Sequence, residues 1–354
     1  MGSESLKKGK LNLPKFFCVA IVIIAFLVTL SATLSVSKPI GADYYFHLNI
    51  TEFLARGDLA GAWNFTITYN QFPYALFLFH FLLAPTVWSG APLVCAQVLQ
   101  VLFLPSILAG LIYVVYKYAC PRAGVYCGLA CLGSWAFMDG ALQVRPESLD
   151  MLLYPFVLAA VLCGFRWRGV GGVVVAVFSH GLASLAVYFG LFIEKLRVKG
   201  WRVPLAVGVL CVLPVVVVSL YFMGGAFNHW GGVPVNENPQ EYLFWVDPTF
   251  APYYLGAGLM GVPFIFKRGK TELERLALAG LIGSLVMLPF WADRFLHYAS
   301  LPLAVLCGVG ITRLKDPRLR MVCALVLMDV FIVYVASYFG FSFGVLGKWW
   351  NPGD

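Results

Sequence analysis

The residues best suited to chemistry lie in one stretch, Gly41 to Arg56, GADYYFHLNITEFLAR. Asp43 and His47 stand four residues apart, so a helix would carry both on one face. Phe46, Ile50, Phe53 and Leu54 follow with the spacing of an apolar helical stripe. The pattern predicts a short amphipathic helix lying at a membrane surface, with a carboxylate and an imidazole at its start. A carboxylate there can take a proton from an acceptor hydroxyl while a sugar leaves a phosphate. The plainer role for Asp43 is to cap the helix it begins.

Other groups fall at the ends of apolar segments. In QVRPESLD, Pro146 suits the first turn of a helix, and Glu147 suits the positive end of its dipole. Arg145 precedes them. In WADRFLHYASLPL, Arg294 and His297 share a helix face, and an arginine fork can bond two phosphate oxygens at once; a salt bridge to Asp293 is the simpler use of Arg294. His180 lies within an apolar segment, where a lone histidine is more often a satisfied structural group than a catalyst. Glu241 belongs to NHWGGVPVNENPQEYLFWVDP, a loop that could cover a sugar or headgroup, or serve only as an ordered cap.

The elements that must position these groups are membrane spans. Of 354 residues, 60% are hydrophobic and 12% charged, and the mean hydropathy is +0.83, which excludes a soluble domain of this size. The expected fold is all-α, one polytopic transmembrane bundle over residues 1–354. The first span, 16–36, reads as a retained anchor rather than a cleaved signal. Lys7, Lys8, Lys10 and Lys15 before it put the N-terminus in the cytoplasm. Residues 37–91 then form the first extracytoplasmic loop, with an apolar helix over 73–88 that is re-entrant or juxtamembrane. Further spans are expected at 92–116, 123–139, 149–165, 203–222, 252–266, 276–291, 295–312 and 319–340. Residues 169–193 carry basic clusters at both ends and read as a hairpin of two short helices turning near Ser179-His180-Gly181. The total is about 11 crossings, with a second extracytoplasmic loop at 224–251. In this layout 20 of 25 Lys and Arg fall inside, and most acidic residues, Asp139, Glu147 and Asp150 among them, fall on the outer rim. The net charge of +8 is therefore topological and implies no nucleic-acid partner. The nine cysteines sit mostly in apolar segments and read as buried hydrophobes.

A first external loop opening with Asp43-Tyr-Tyr-Phe-His47 resembles the GT-C superfamily of membrane glycosyltransferases, which includes oligosaccharyltransferase catalytic subunits, protein O-mannosyltransferases and aminoarabinose transferases. Phe72-Pro73-Tyr74 resembles the start of that loop's juxtamembrane helix. Arg145-Pro146-Glu147 resembles the family's second acidic site, and Arg294-Phe295 its late Arg-Phe, where the arginine meets the donor phosphate. The resemblance implies a small GT-C enzyme without a C-terminal soluble domain, at the plasma membrane or, in a eukaryote, the endoplasmic reticulum. It would transfer sugar from a polyprenyl phosphate or diphosphate to a lipid, glycan or protein acceptor, with inversion. Asp43 would be the base; Arg294, Arg145 and His297 would hold the donor phosphate; Tyr44, Tyr45, His47, His180 and Glu241 would contact substrate. Glu147 would orient the sugar or, with Asp43, hold Mg²⁺ or Mn²⁺. A lipid-linked-sugar flippase and a non-catalytic subunit of a glycosylation complex are the competing classes. The flippase reading requires polar groups deep in the membrane and a matching inner site, and the deep segments carry little beyond His80 and Asp329.

Overall fold

The computed structural model describes residues 12–35, 43–70, 78–180, 182–230, 270–286 and 292–338. Every regular element among them is helical: α1 (Leu13–Ser35), α2 (Asp43–Ala55), α3 (Leu59–Asn70), α4 (Leu78–Trp88), α5 (Pro92–Tyr118), α6 (Pro121–Leu132), α7 (Trp135–Leu142), α8 (Pro146–Leu162), α9 (Arg166–His180), α10 (Leu182–Leu196), α11 (Arg202–Trp230), α12 (Glu272–Val286), α13 (Ala292–Thr312) and α14 (Pro317–Tyr338). Proline opens α5, α6, α8 and α14, where its fixed φ fits and its missing N–H is not needed. At α12, Thr271 and Glu274 form a reciprocal capping box: Glu274 Oε2 accepts from the Thr271 N–H at 2.8 Å, and the Glu274 N–H reaches Thr271 Oγ1 at 3.3 Å.

Helices α1, α5, α11 and α14 contain segments long and apolar enough to cross a bilayer alone. The chain is an integral membrane protein. The span expected at 123–139 is a broken one. Helices α6 and α7 meet at 76°, because Gly133 ends the first and Ser134 caps the second, accepting from the Phe137 N–H at 3.4 Å. The five other described segments expected to cross are shorter helices packed inside the bundle: α8 has 17 residues, α9, α10 and α12 have 15 each, and α13 has 21. The span at 252–266 and most of the 224–251 loop lie outside the described residues.

The hairpin expected at 169–193 is present as α9 and α10. Its open ends converge on Trp201: the indole lies against Gly169 near the start of α9, and Lys195 near the end of α10 sits 5.5 Å from the ring centre. Charged contacts gather at that same end of the bundle. Glu194 of α10 accepts from Arg275 at 2.7 Å, Lys195 pairs with Glu272, and the Arg313 fork grips Glu274 at 2.6 and 2.7 Å. Successive helices therefore run up and down, with their basic ends together. The opposite end carries the start of α8, the end of α9 and the start of α13.

In the first loop, the expected stripe of α2 packs inward. Ile50 and Leu54 form a small core with Ala62 of α3, flanked by Phe46, Phe53, Trp63 and Phe65. The α3 segment, read from sequence only as aromatic and polar, is a helix because it completes this core. Helix α4, at 11 residues, is too short to span and packs on α2 and α9.

Helices α10 and α12 touch backbone to backbone where Gly190 faces the Ala279 carbonyl and Gly283 faces that of Ala186; a Cβ at either glycine would overlap the facing carbonyl. Small residues permit such close crossings in membranes. Gly190→Ala is expected to destabilise the protein by about 2 kcal/mol through overpacking, read as a lower unfolding midpoint in detergent. Gly171→Ala, whose Cβ would meet open space, should leave the midpoint within error of wild type.

Candidate active site

The break between α7 and α8 brings polar side chains into the protein. Residues 143–145 link the two helices, and the Ser148 hydroxyl ties the link down by reaching the Gly140 carbonyl at 2.9 Å. Asp139 at the end of α7 accepts from Gln143 Nε2 at 2.9 Å and from Arg145 Nη2 at 3.4 Å. The Arg145 side chain is only 9% exposed, so its charge is met by protein groups. Asp139 lies on one side and Glu147 Oε2, at 3.8 Å, on the other. Its Nη2 also approaches His297 Nδ1 at 3.3 Å. Arginine can only donate, so His297 Nδ1 is the acceptor and Nε2 carries the hydrogen, facing Asp139 Oδ2 at 3.1 Å. This tautomer is assigned from its partners.

A second string of contacts runs inward from Glu147. Its Oε1 lies 3.2 Å from His180 Nε2. His180 Nδ1 lies 2.6 Å from the Tyr298 hydroxyl, and the same hydroxyl lies 2.9 Å from Asp150 Oδ2. Ser184 bonds that same oxygen, and the Tyr188 hydroxyl donates to the Asp150 main-chain carbonyl at 3.1 Å. Glu147, Asp150, His180, Tyr298 and His297 are all buried.

Four site residues expected from sequence, Arg145, Glu147, His180 and His297, thus meet in one cluster contributed by α8, α9 and α13. His180, read as a lone structural histidine, joins two carboxylates. Asp139, Asp150, Ser184 and Tyr298 were not singled out by sequence. Asp139 and Asp150 did belong to the outer-rim acids, and an acid packed beside a helix start should have drawn more weight. Arg294 lies on the first turn of α13, one helical turn before His297, but its side chain is outside the described residues, as is that of Asp43. Glu241 is outside them altogether.

Asp43 is the first residue of α2, and its neighbours fix that helix in place. Tyr44 is buried, and its hydroxyl donates to the Pro92 carbonyl at 3.0 Å. Burial pushes its phenol up to about 12, so it keeps this proton in neutral solution. His47 Nδ1 meets His80 Nε2 of α4 at 3.0 Å, both rings buried. Tyr45 is 39% exposed and turns away from these contacts. Helix α4 in turn packs on α9, the helix that ends at His180.

Glu147, the described member of the expected Asp43–Glu147 metal pair, is engaged by other side chains. Each Glu147 oxygen already faces a cationic or imidazole nitrogen, and no three described His, Cys, Asp or Glu side chains gather as metal ligands. What the cluster can do is present a buried guanidinium and an imidazole to an anion, beside a carboxylate that can bond sugar hydroxyls.

No protein-family description matches the sequence, and no curated protein matches it either. Solved structures do match, two of them as follows. Both are of ArnT from Cupriavidus metallidurans: one bound to undecaprenyl phosphate (TM-score 0.57, 18% identity, 93% of this chain and 65% of that one) and one in the apo state (0.61, 18%, 94% and 66%). This chain thus spans just under two thirds of the length of the proteins it matches. At that identity the likeness is one of fold, and it runs through nearly the whole of this chain. The helical architecture of this chain is similar to that of ArnT.

Proposed function

We propose that the protein is a glycosyltransferase that moves a sugar from a polyprenyl-phosphate or diphosphate donor to a lipid, glycan or protein acceptor, with inversion, on the extracytoplasmic face. The observation that carries this reading is the buried Arg145, held with His297 at the broken span of an ArnT-like bundle. A buried arginine beside a helix end is a site for an anionic headgroup, and ArnT itself has been seen with undecaprenyl phosphate. The excess of basic residues on the other ends of the helices supports an extracytoplasmic location for this end.

In this mechanism Asp43 takes the proton of the acceptor hydroxyl as that oxygen attacks the anomeric carbon. Arg145 and His297, with Arg294, stabilise the charge that grows on the departing phosphate. Glu147 bonds hydroxyls of the sugar. Arg145 exchanges its contact with the partly exposed Asp139 for the donor phosphate, since Asp139 is the more open of its two partners, 24% exposed against 2% for Glu147.

The test is transfer from a panel of radiolabelled polyprenyl-phosphate sugars by purified protein. Wild type is expected to form product with at least one donor, and Asp43→Asn to lose about 10² to 10⁴ of that rate, the usual worth of a positioned base. Full activity in Asp43→Asn would remove Asp43 from the chemistry. Movement of the lipid across proteoliposomes without product would favour a flippase. A second outcome concerns Arg145→Lys, which keeps the charge but not the fork. It should weaken donor binding about tenfold or more, seen as a raised donor KM, and acceptor KM should hold steady.

A further inference from the structure

The inward string Glu147–His180–Tyr298–Asp150 obeys a count of protons. It has three links: Tyr298 Oη to Asp150 Oδ2 at 2.9 Å, His180 Nδ1 to Tyr298 Oη at 2.6 Å and His180 Nε2 to Glu147 Oε1 at 3.2 Å. Each needs a hydrogen between its atoms. Tyrosine brings one and a neutral imidazole brings one. The third must be an added proton, carried by Asp150, His180 or Glu147. Without it two lone pairs would face each other at one of the three links.

The surroundings of the two ends differ. Glu147 has the Arg145 guanidinium at 3.8 Å, and beyond it lie His297 and Asp139. Among the described residues no Lys or Arg pairs with Asp150: its neighbours are Ser184, Tyr298, Tyr188 through the main chain and, at 3.7 Å, His180 Nδ1. Its Oδ1 is buried and has no hydrogen-bond partner. An ionised carboxylate with an orphaned oxygen and no cation costs far more than a neutral acid in the same place.

We propose that this string is a proton relay: it holds one proton on Asp150 at rest and delivers it to Glu147 when an anion takes Arg145. In the transfer, the proton on Asp150 Oδ2 passes to Tyr298 Oη, the Tyr298 proton to His180 Nδ1, and the His180 Nε2 proton to Glu147 Oε1. No heavy-atom bond changes, and one unit of negative charge moves from Glu147 to Asp150. Glu147 is thereby neutral beside the incoming phosphate, its new proton on Oε1 facing His180 Nε2. His180, Tyr298 and Asp150 are positioning residues that act through Glu147. The resting proton stands on geometry alone; its delivery on phosphate binding rests on the donor reading above.

Isotope-edited infrared spectra of the protein in lipid nanodiscs test both parts, using protein labelled with ¹³C at Asp or at Glu carboxyls. At rest, the C=O stretch of a protonated carboxyl should shift with the Asp label, disappear in Asp150→Asn and persist in Glu147→Gln. Tyr298→Phe, which keeps the ring, should move that band because the acid loses its acceptor, so the assignment survives even if Asp150→Asn fails to fold. Absence of any Asp-labelled band would place the proton on His180 as an imidazolium, or on Glu147, and overturn the proposal. On adding undecaprenyl phosphate, wild type should lose the Asp band and gain a Glu one, and Tyr298→Phe should not. Bound lipid with an unchanged spectrum would refute the delivery step. Failure of the lipid to bind would count against the donor reading, and the resting band would still decide where the proton sits.

Discussion

The constraint on which this structure depends is the burial of ionisable groups in an apolar bundle. A guanidinium held away from water must be met by negative charge and by hydrogen-bond acceptors, and breaking one such partnership costs about 3 to 5 kcal/mol. Arg145 meets the requirement with Asp139, Glu147 and the lone pair of His297. Three elements must then hold their places together: the end of α7, the start of α8 and the first turns of α13. The sharp bend between α6 and α7 follows from the same need. A continuous helix through residues 121–142 would carry Asp139 onward along its axis, whereas the break at Gly133-Ser134 lets α7 turn back toward the start of α8 and the side of α13.

The bundle holds this arrangement by close packing more than by polar contacts. Pro155 of α8 lies against Gly110 of α5, where a Cβ would stand 2.8 Å from the ring, and Gly308 of α13 lies against α6, where one would stand 2.6 Å from the Ala123 carbonyl. In lipid there is little hydrophobic gain from bringing helices together, so van der Waals contact over small residues has to supply the association. At the basic end, the Arg275–Glu194 pair between α12 and α10 is exposed enough for water to solvate it, and its loss would be mild, whereas Arg313 meets a buried Glu274.

The fold was largely legible in the sequence because its signals are long. Apolar runs, basic clusters and prolines at helix starts located nearly every described helix to within a few residues, and the opposed basic ends of 169–193 revealed a hairpin that hydropathy alone would merge into one span. Two things were less legible. The broken span was read as continuous, since Gly133 and Ser134 are common inside membrane helices and only their joint placement before Trp135 marks an end and a cap. The site was legible as residue types but not as a set. Nothing in the spacing of Asp139, Asp150, His180 and Tyr298 says that four separate helices bring them together, and a histidine in an apolar run gives no sign of the acids it will meet. His47 and Tyr44, expected to contact substrate, also turn inward and hold α2 to its neighbours.

That inward turn bears on how the two halves of the site are related. Asp43 begins a helix whose next turn is fixed to α5 through Tyr44 and to α4 through the His47–His80 pair, and whose far end is held by the Trp88 indole donating to the Ala55 carbonyl at 3.1 Å. None of these tethers uses a full charge. The Tyr44 phenol keeps its proton in neutral solution, and the His47 and His80 rings share one hydrogen across 3.0 Å. The unit that carries Asp43 is thus tied down by neutral contacts, whereas the cluster around Arg145 is built from charges that an arriving anion would rearrange. Since α4 rests on α9, and α9 ends at His180, the neutral unit is braced against one member of the charged one. A division of this kind lets the charged side change its proton and ion-pair arrangement while the helix bearing the carboxylate stays still, which is what the proposed role of Asp43 as a base at fixed distance from an acceptor requires.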